Sequence, residues 1–335
     1  MFEKYINCID AHTAGEPLRI ITSGFPSIPG ETMLEKRDYV KNNLDDLRKL
    51  IMLEPRGHND MYGCIITSPT TSDGDFGVLF THNDGLSTMC GHGIIAVTKV
   101  VARTGFIQLN DKKKIKIDTP AGRIIANINY EDEDIESISF LNVPSFVYKD
   151  NVKLNLGEIG NITVDIVYGG AFYAFVESKL LDVKINPNNA KRLTELGMII
   201  KNKIMDKMIV KHPIKKDISG IYGTIITDPL EIKNNDVISK NVCIFADGQV
   251  DRSPTGTGTS ARVALLQQKG NLDIDKILIN KSIIETIFEG KIVKNTKIDN
   301  FSGVIPEIKG NAYITGFNNL VLENNDRLSS GFKIN

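Results

Sequence analysis

One segment of this chain occurs twice. Gly63-Cys64-Ile65-Ile66-Thr67-Ser68-Pro69 returns as Gly223-Thr224-Ile225-Ile226-Thr227-Asp228-Pro229. Phe80, ten residues before Cys90, is matched by Phe245, ten residues before Thr255. In the same register and without a gap, Gly91-His92-Gly93 matches Gly256-Thr257-Gly258, Ala96 matches Ala261, and Gly105 matches Gly270. Chance likeness between two short apolar strands does not supply the second, gapless match. The chain therefore reads as an internal duplication, with two similar α/β (α+β) domains related by a pseudo-twofold. The expected boundaries are 1-152 for the first domain and 153-319 for the second, with a tail, 320-335, that can return to the first. In such a fold two helix starts can face each other across an interdomain cleft, where small-molecule sites tend to form.

Between the matched segments, residues 4-9 and 18-23 read as short strands joined by the turn Thr13-Ala14-Gly15-Glu16-Pro17. Residues 31-52 carry leucines, a valine and methionines at helical spacing, which predicts one long amphipathic helix. Pro55-Arg56-Gly57-His58-Asn59-Asp60 is a polar loop, followed by strands near 63-67 and 76-80. A helix over 91-103 ends at Gly105. Residues 114-148 are β-rich with a turn at Pro120-Ala121-Gly122, 161-177 are strands, and 188-203 form a helix.

Composition narrows the class of function. The formal net charge is -1, with lysines spread along the chain, which argues against nucleic acid or an anionic membrane as partner. No apolar run approaches the roughly 18 residues of a membrane span. The first residues lack a charged region followed by an apolar stretch, so no signal peptide is expected. Cys8, Cys64, Cys90 and Cys243 show no CxxC spacing and read as reduced thiols of a cytoplasmic protein.

The Cys90 loop carries the chemistry. In Thr88-Met89-Cys90-Gly91-His92-Gly93, a thiol precedes two glycines and an apolar helix. A thiol at a helix N-terminus feels the positive end of the macrodipole, which favours thiolate. Gly91 and Gly93 leave room for a ligand to approach backbone N–H groups. The matching loop, Gly256-Thr257-Gly258-Thr259-Ser260, lacks the GxxxxGK[ST] of a P-loop and the last glycine of GxGxxG, so a small carboxylate suits it better than a nucleotide. Cys90 could then act as a base on the α-proton while N–H groups stabilise the enediolate-like charge. Inversion would require an acid on the opposite face. Thr255 stands there, and an alcohol serves poorly.

Other candidates stay open at this level. His92 either assists the chemistry or caps the helix, and Asp251 either neutralises a substrate ammonium or caps its own turn. Arg252 and Arg262 read as structural ion-pair partners. His12, His58 and His82 read as residues of polar loops, and Cys8, Cys64 and Cys243 as core. No metal site is expected, because HxxxH and HExxH are absent. A serine hydrolase lacks its GxSxG, while a Cys–His hydrolase through Cys90 remains formally open.

Two signatures resemble those of the proline racemase family: Met89-Cys90-Gly91-His92-Gly93 and Asp251-Arg252-Ser253-Pro254-Thr255-Gly256-Thr257-Gly258-Thr259-Ser260-Ala261-Arg262. The resemblance extends to Asp10-Ala11-His12-Thr13-Ala14-Gly15-Glu16-Pro17, Pro55-Arg56-Gly57-His58-Asn59-Asp60-Met61-Tyr62-Gly63 and Val304-Ile305-Pro306-Glu307-Ile308. It implies a fold like that of diaminopimelate epimerase, each domain a mixed sheet curled around a central helix, with the site between domains and neither metal nor cofactor. It also implies an imino-acid substrate and a homodimer. Carried onto this chain, Cys90 is the base, and the backbones at Gly91, His92, Gly256 and Thr257 hold the carboxylate. Asp251 and His92 contact the substrate nitrogen, and Tyr62, Phe80 and Phe245 occupy pocket walls.

The chain departs from racemases and epimerases of the family at Thr255, where they carry a second cysteine. Threonine there is the pattern of the family's trans-3-hydroxy-L-proline dehydratases. The resemblance therefore implies a hydro-lyase forming Δ1-pyrroline-2-carboxylate. The alternatives are a proline racemase or 4-hydroxyproline epimerase, and a non-catalytic protein binding a proline-like ligand. The ending around Arg327-Leu328-Ser329-Ser330 matches the family poorly.

Overall fold

The computed structural model describes residues 2-109, 112-234 and 236-334. The chain forms two compact units, one of residues 1-140 with 311-335, the other Leu141–Gly310. The sequence reading placed these divisions after 152 and 319.

In the first unit, β1 (Phe2–Thr13) and β2 (Glu16–Ser23) form an antiparallel hairpin whose turn is made by Ala14 and Gly15, both at positive φ. The single helix expected over 31-52 is two helices, α1 (Met33–Asn43) and α2 (Asp45–Met52). Leu44, at φ -130°, breaks them, and Asp45 and Asp46 begin a new first turn where acidic groups complement the helix dipole. Periodicity survives the break because both helices bury the same kinds of residue. β3 (Tyr62–Thr67) joins β2 in parallel, and β4 (Phe76–His82) joins β3 antiparallel with Cys64 opposite Phe80. A short β5 (Gly85–Ser87) folds back on β4 and leads into the Cys90 loop. Then come α3 (Gly91–Thr104), β6 (Lys114–Thr119) parallel to β4, β7 (Gly122–Glu131) antiparallel to β6, and β8 (Asp134–Leu141).

α3 is buried without a break from Gly91 to Thr98, and Ile94, Ile95, Ala96, Val97, Val100 and Val101 are its apolar core residues. A helix of this kind belongs inside a sheet rather than on it, and α3 packs against both the β1–β2 and the β7 parts of the ladder. Each large buried aliphatic side chain contributes about 1.5–3 kcal/mol. Gly105, at φ 66°, closes the helix in the left-handed cap that glycine adopts without strain.

The second unit repeats the plan. β9 (Ser145–Asn155) pairs antiparallel with β10 (Asn161–Tyr168), and β10 with β11 (Phe172–Glu177). The helix α4 (Ala190–Lys207) follows. β12 (Gly223–Thr227) joins β11 in parallel. β13 (Glu231–Lys233) and β14 (Asp236–Phe245) are antiparallel neighbours, and β14 also pairs antiparallel with β12. β15 (Gln249–Val250) folds back on β14 and leads into the Thr255 loop. α5 (Gly256–Gln268) is buried from Gly256 to Leu266. β16 (Leu278–Lys281) lies parallel to β14, then β17 (Ile287–Ile298) and β18 (Phe301–Gly310) are antiparallel, and β18 pairs back onto β9. The ladder closes around α5. α5 is capped by Lys269, and Gly270 follows at φ 72°.

The tail strand β19 (Ala312–Glu323) runs antiparallel along β1 in the first unit. Arg56 anchors the end of this strand and the turn beyond it: its Nε donates to the Val321 carbonyl at 2.8 Å, and its guanidinium pairs with Asp326. Two positional readings need correcting. His12 and His82 lie on β1 and β4, not in loops. Among the described residues no helix is long and apolar enough to cross a membrane.

Candidate active site

Cys90 is the N-cap of α3, in extended conformation at φ -141°. Its Sγ accepts the Gly93 N–H at 3.2 Å, so a backbone dipole is aimed at the sulfur, which stabilises negative charge there. His92 closes on the same atom, its Nδ1 3.1 Å from Sγ. Sequence spacing had left open whether these side chains touch; the first helical turn brings them together. The His92 ring meets the edge of Tyr62 at 4.8 Å, and Tyr62 shares a 2.6 Å hydrogen bond with Ser87. Thr13 Oγ1 donates to the His92 carbonyl at 2.9 Å, which gives the Asp10–Pro17 segment a structural task.

Gly93 has a reason beyond ligand access. A Cβ there would lie 2.4 Å from the ring of Phe80 and 3.1 Å from Cys90 Sγ. Phe80 is fully buried beneath that glycine, Phe245 and Tyr62 nearly so. Gly258 is the counterpart, where a Cβ would meet Ile225 at 2.5 Å and Thr255 at 3.0 Å.

The Thr255 loop is built differently. Thr255 sits at φ 63°, ψ 101°, and its side chain does not cap α5. A β-branched residue in that region carries strain of about 1–3 kcal/mol. Its Oγ1 donates instead to Asp251 Oδ2 at 2.7 Å. Asp251 Oδ1 accepts the Ser253 N–H at 2.8 Å, and Ser253 Oγ accepts the Thr255 N–H at 3.0 Å. Asp251 thus holds its own turn as well as the Thr255 hydroxyl. Thr257, the counterpart of His92, shares a 2.6 Å hydrogen bond with Tyr173, whose phenol is pushed well up by burial. Gly91 and Gly256 are the first helical residues after Cys90 and Thr255.

Other candidates fall away. Burial pushes the Cys8 thiol up to about 11 and Cys64 higher still, so neither offers a ready thiolate. Arg262 is buried with no hydrogen-bond partner at Nε, and desolvation pulls its guanidinium down to about 10 against the opposing charges of Glu177 and Asp165. Among the described residues no group of three or more His, Cys, Asp or Glu could hold a metal. Tyr222 and Tyr173 were missed by the sequence reading. Tyr222 precedes Gly223 as Tyr62 precedes Gly63 and stacks on Phe245 at 5.6 Å, so extending the repeat by one residue would have found it. Nothing in the sequence marked Tyr173.

Two units, each a mixed sheet around a buried helix with a polar loop at the helix start, define an epimerase-type α/β fold. The chain belongs to the proline racemase family, whose model matches residues 8-333, a family of enzymes acting on proline and its derivatives. It is 49% identical over 330 residues to a trans-3-hydroxy-L-proline dehydratase of Bacillus cereus, covering 98% of each chain. It is 43% identical over 332 residues to a proline racemase of Clostridioides difficile, covering 99% of this chain and 98% of that one. The crystal structure of a hydroxyproline epimerase from Agrobacterium vitis, with bound trans-4-OH-L-proline, matches with a TM-score of 0.91 at 29% identity. That match covers 100% of this chain and 97% of the other.

Proposed function

We propose that this protein is a hydro-lyase that removes water from trans-3-hydroxy-L-proline, giving Δ1-pyrroline-2-carboxylate without a cofactor. The observation that carries the reading is the Thr255 hydroxyl, donated to Asp251 at 2.7 Å where an inverting enzyme needs a second acid. The 49% identity to a dehydratase supports the same choice.

In this reading Cys90, as thiolate, takes the α-proton: the C–H bond breaks and an S–H bond forms. The N–H groups of Gly91, His92, Gly256 and Thr257 hold the substrate carboxylate as charge develops. Asp251 and His92 contact the ring nitrogen, and Tyr62, Phe80 and Phe245 flank the ring. While Asp251 is ionised, the Thr255 proton is committed to it, so Thr255 offers the ligand lone pairs and no proton. The carbanion is therefore not reprotonated from that side. It expels the C3 hydroxyl, which leaves as water on taking a proton from the Cys90 thiol or His92, the pair 3.1 Å apart. The α-hydrogen and hydroxyl of the trans isomer share a ring face, so this elimination is syn. The enamine then tautomerises to the imine. The setting in this reading is the cytoplasm and the assembly a homodimer.

The test is to incubate purified protein with trans-3-hydroxy-L-proline and trap the imine with o-aminobenzaldehyde. Absence of imine, with loss of optical rotation from L-proline or 4-hydroxyproline, would make the protein a racemase or epimerase. Ligand-induced stabilisation without exchange of the α-hydrogen in D2O would make it a binding protein.

A further inference from the structure

Thr255 occupies a backbone conformation that a β-branched residue avoids, and buried polar groups around it oppose relaxation. The Pro254 carbonyl accepts from three side chains: Thr259 Oγ1 at 3.1 Å, Asn241 Nδ2 at 3.2 Å and Asn280 Nδ2 at 3.4 Å. These come from three elements, α5, β14 and β16, and all are buried. Asn280 Nδ2 also donates to Thr259 Oγ1 at 2.9 Å. Because the Thr259 hydroxyl proton is spent on Pro254, its oxygen can accept, which fixes the orientation of the Asn280 amide. The Asn280 Oδ1 is left buried without a partner. An apolar side chain would avoid that cost, so the amide is kept at the expense of stability. From the far side, the Thr259 N–H donates to the Thr255 carbonyl at 2.6 Å.

We propose that Asn241, Thr259 and Asn280 are positioning residues whose clamp on the Pro254 carbonyl keeps Thr255 left-handed and its hydroxyl on Asp251. Without the clamp, Thr255 relaxes towards negative φ, its Cβ swings, and the hydrogen bond to Asp251 is lost. The Thr255 hydroxyl is then misplaced for the ligand, while Asp251 keeps its anchor on the Ser253 N–H. The activity arm of the test rests on the dehydratase reading; the stability arm does not.

Thr259→Val removes the hydroxyl at nearly constant volume, and Thr259→Ser restores it. In the full chain, Thr259→Val should lose roughly tenfold or more in kcat for water loss, with KM changing far less. Exchange of the L-proline α-hydrogen in D2O, which needs Cys90, should stay near wild type, and Thr259→Ser should recover the lost rate. An unchanged rate of water loss in Thr259→Val overturns the proposal, as does a parallel fall of exchange and water loss. Thermal unfolding supplies the second arm. With the clamp intact, Thr255→Gly relieves strain, because glycine accepts positive φ freely. In Thr259→Val the strain has already relaxed, so the same glycine should shift Tm less favourably. Equal shifts in the two backgrounds overturn the clamp. If the wild type releases no imine, the dehydratase reading fails and this cycle alone decides.

Discussion

The loops at Cys90 and Thr255 descend from one repeat and end in opposite arrangements. Cys90 is extended and turns its sulfur onto the start of its own helix, where Gly93 donates to it. Thr255 is left-handed and turns its hydroxyl back, away from α5 and onto a carboxylate. The first arrangement supports negative charge on the side chain; the second consumes its proton. One scaffold thus presents a thiol beside a helix N–H in one unit and a hydroxyl bound to a carboxylate in the other. Both loops have a glycine three positions on, Gly93 and Gly258, where a Cβ would crowd the Cys90 sulfur in the first and the Thr255 methyl in the second.

The largest effect tests the base. Cys90→Ser should cut water loss by roughly 10³-fold or more, since a general base of this kind contributes 10²–10⁴. Retention of near wild-type turnover would remove Cys90 from the mechanism. Thr255→Cys is the converse change and should bring some inversion of L-proline, read as loss of optical rotation; a variant with water loss and no inversion would mean that the difference between the loops is not the thiol alone.

The glycines separate the loops by stability. At Gly93 the added methyl meets the Phe80 ring, fully buried, whereas at Gly258 it meets the flexible end of Ile225. Gly93→Ala should cost about 2–3 kcal/mol and Gly258→Ala about 1 kcal/mol, both as overpacking. Denaturant unfolding measures the two, and the reverse ranking would break the account of Phe80 as the rigid floor of the first loop.

The last difference between the units concerns histidine. The first unit sets His92 against a sulfur, while the second buries His212 among Phe146 and Tyr168 with Nδ1 accepting the N–H groups of Ile214 and Lys215. Burial lowers His212 from 6.5 to about 4, so the unfolded chain takes up a proton there before the folded one does. Stability is whole above 6.5 and is lost as pH falls through the window from 6.5 to 4, by about 1–2 kcal/mol between pH 7 and pH 5. His212→Asn should flatten that part of the dependence in urea titrations; an unchanged slope would show that other groups carry it.

Much of the fold was legible because duplication leaves marks that packing cannot erase. Gly105 and Gly270 sit at the same positive φ, and the β3 and β12 strings occupy the same place in their ladders. The candidate residues Cys90, His92, Asp251 and Thr255 were legible as types. The break at Leu44 was not, since hydrophobic spacing runs through it. The Cys90–His92 contact was not, because a separation of two residues puts side chains together only with a particular rotamer at a helix start. The Pro254 clamp was not, because Asn241, Thr259 and Asn280 come from three elements.

The sequence by itself determined that this protein is a duplicated α/β chain of the proline racemase family, with a thiol in one loop and a hydroxyl in the other. Both rest on residue identity and register, which need no coordinates. Only the tertiary structure decided where the hydroxyl proton goes. That depends on the strained φ of Thr255, and strain is held by distant groups whose meeting no local pattern records.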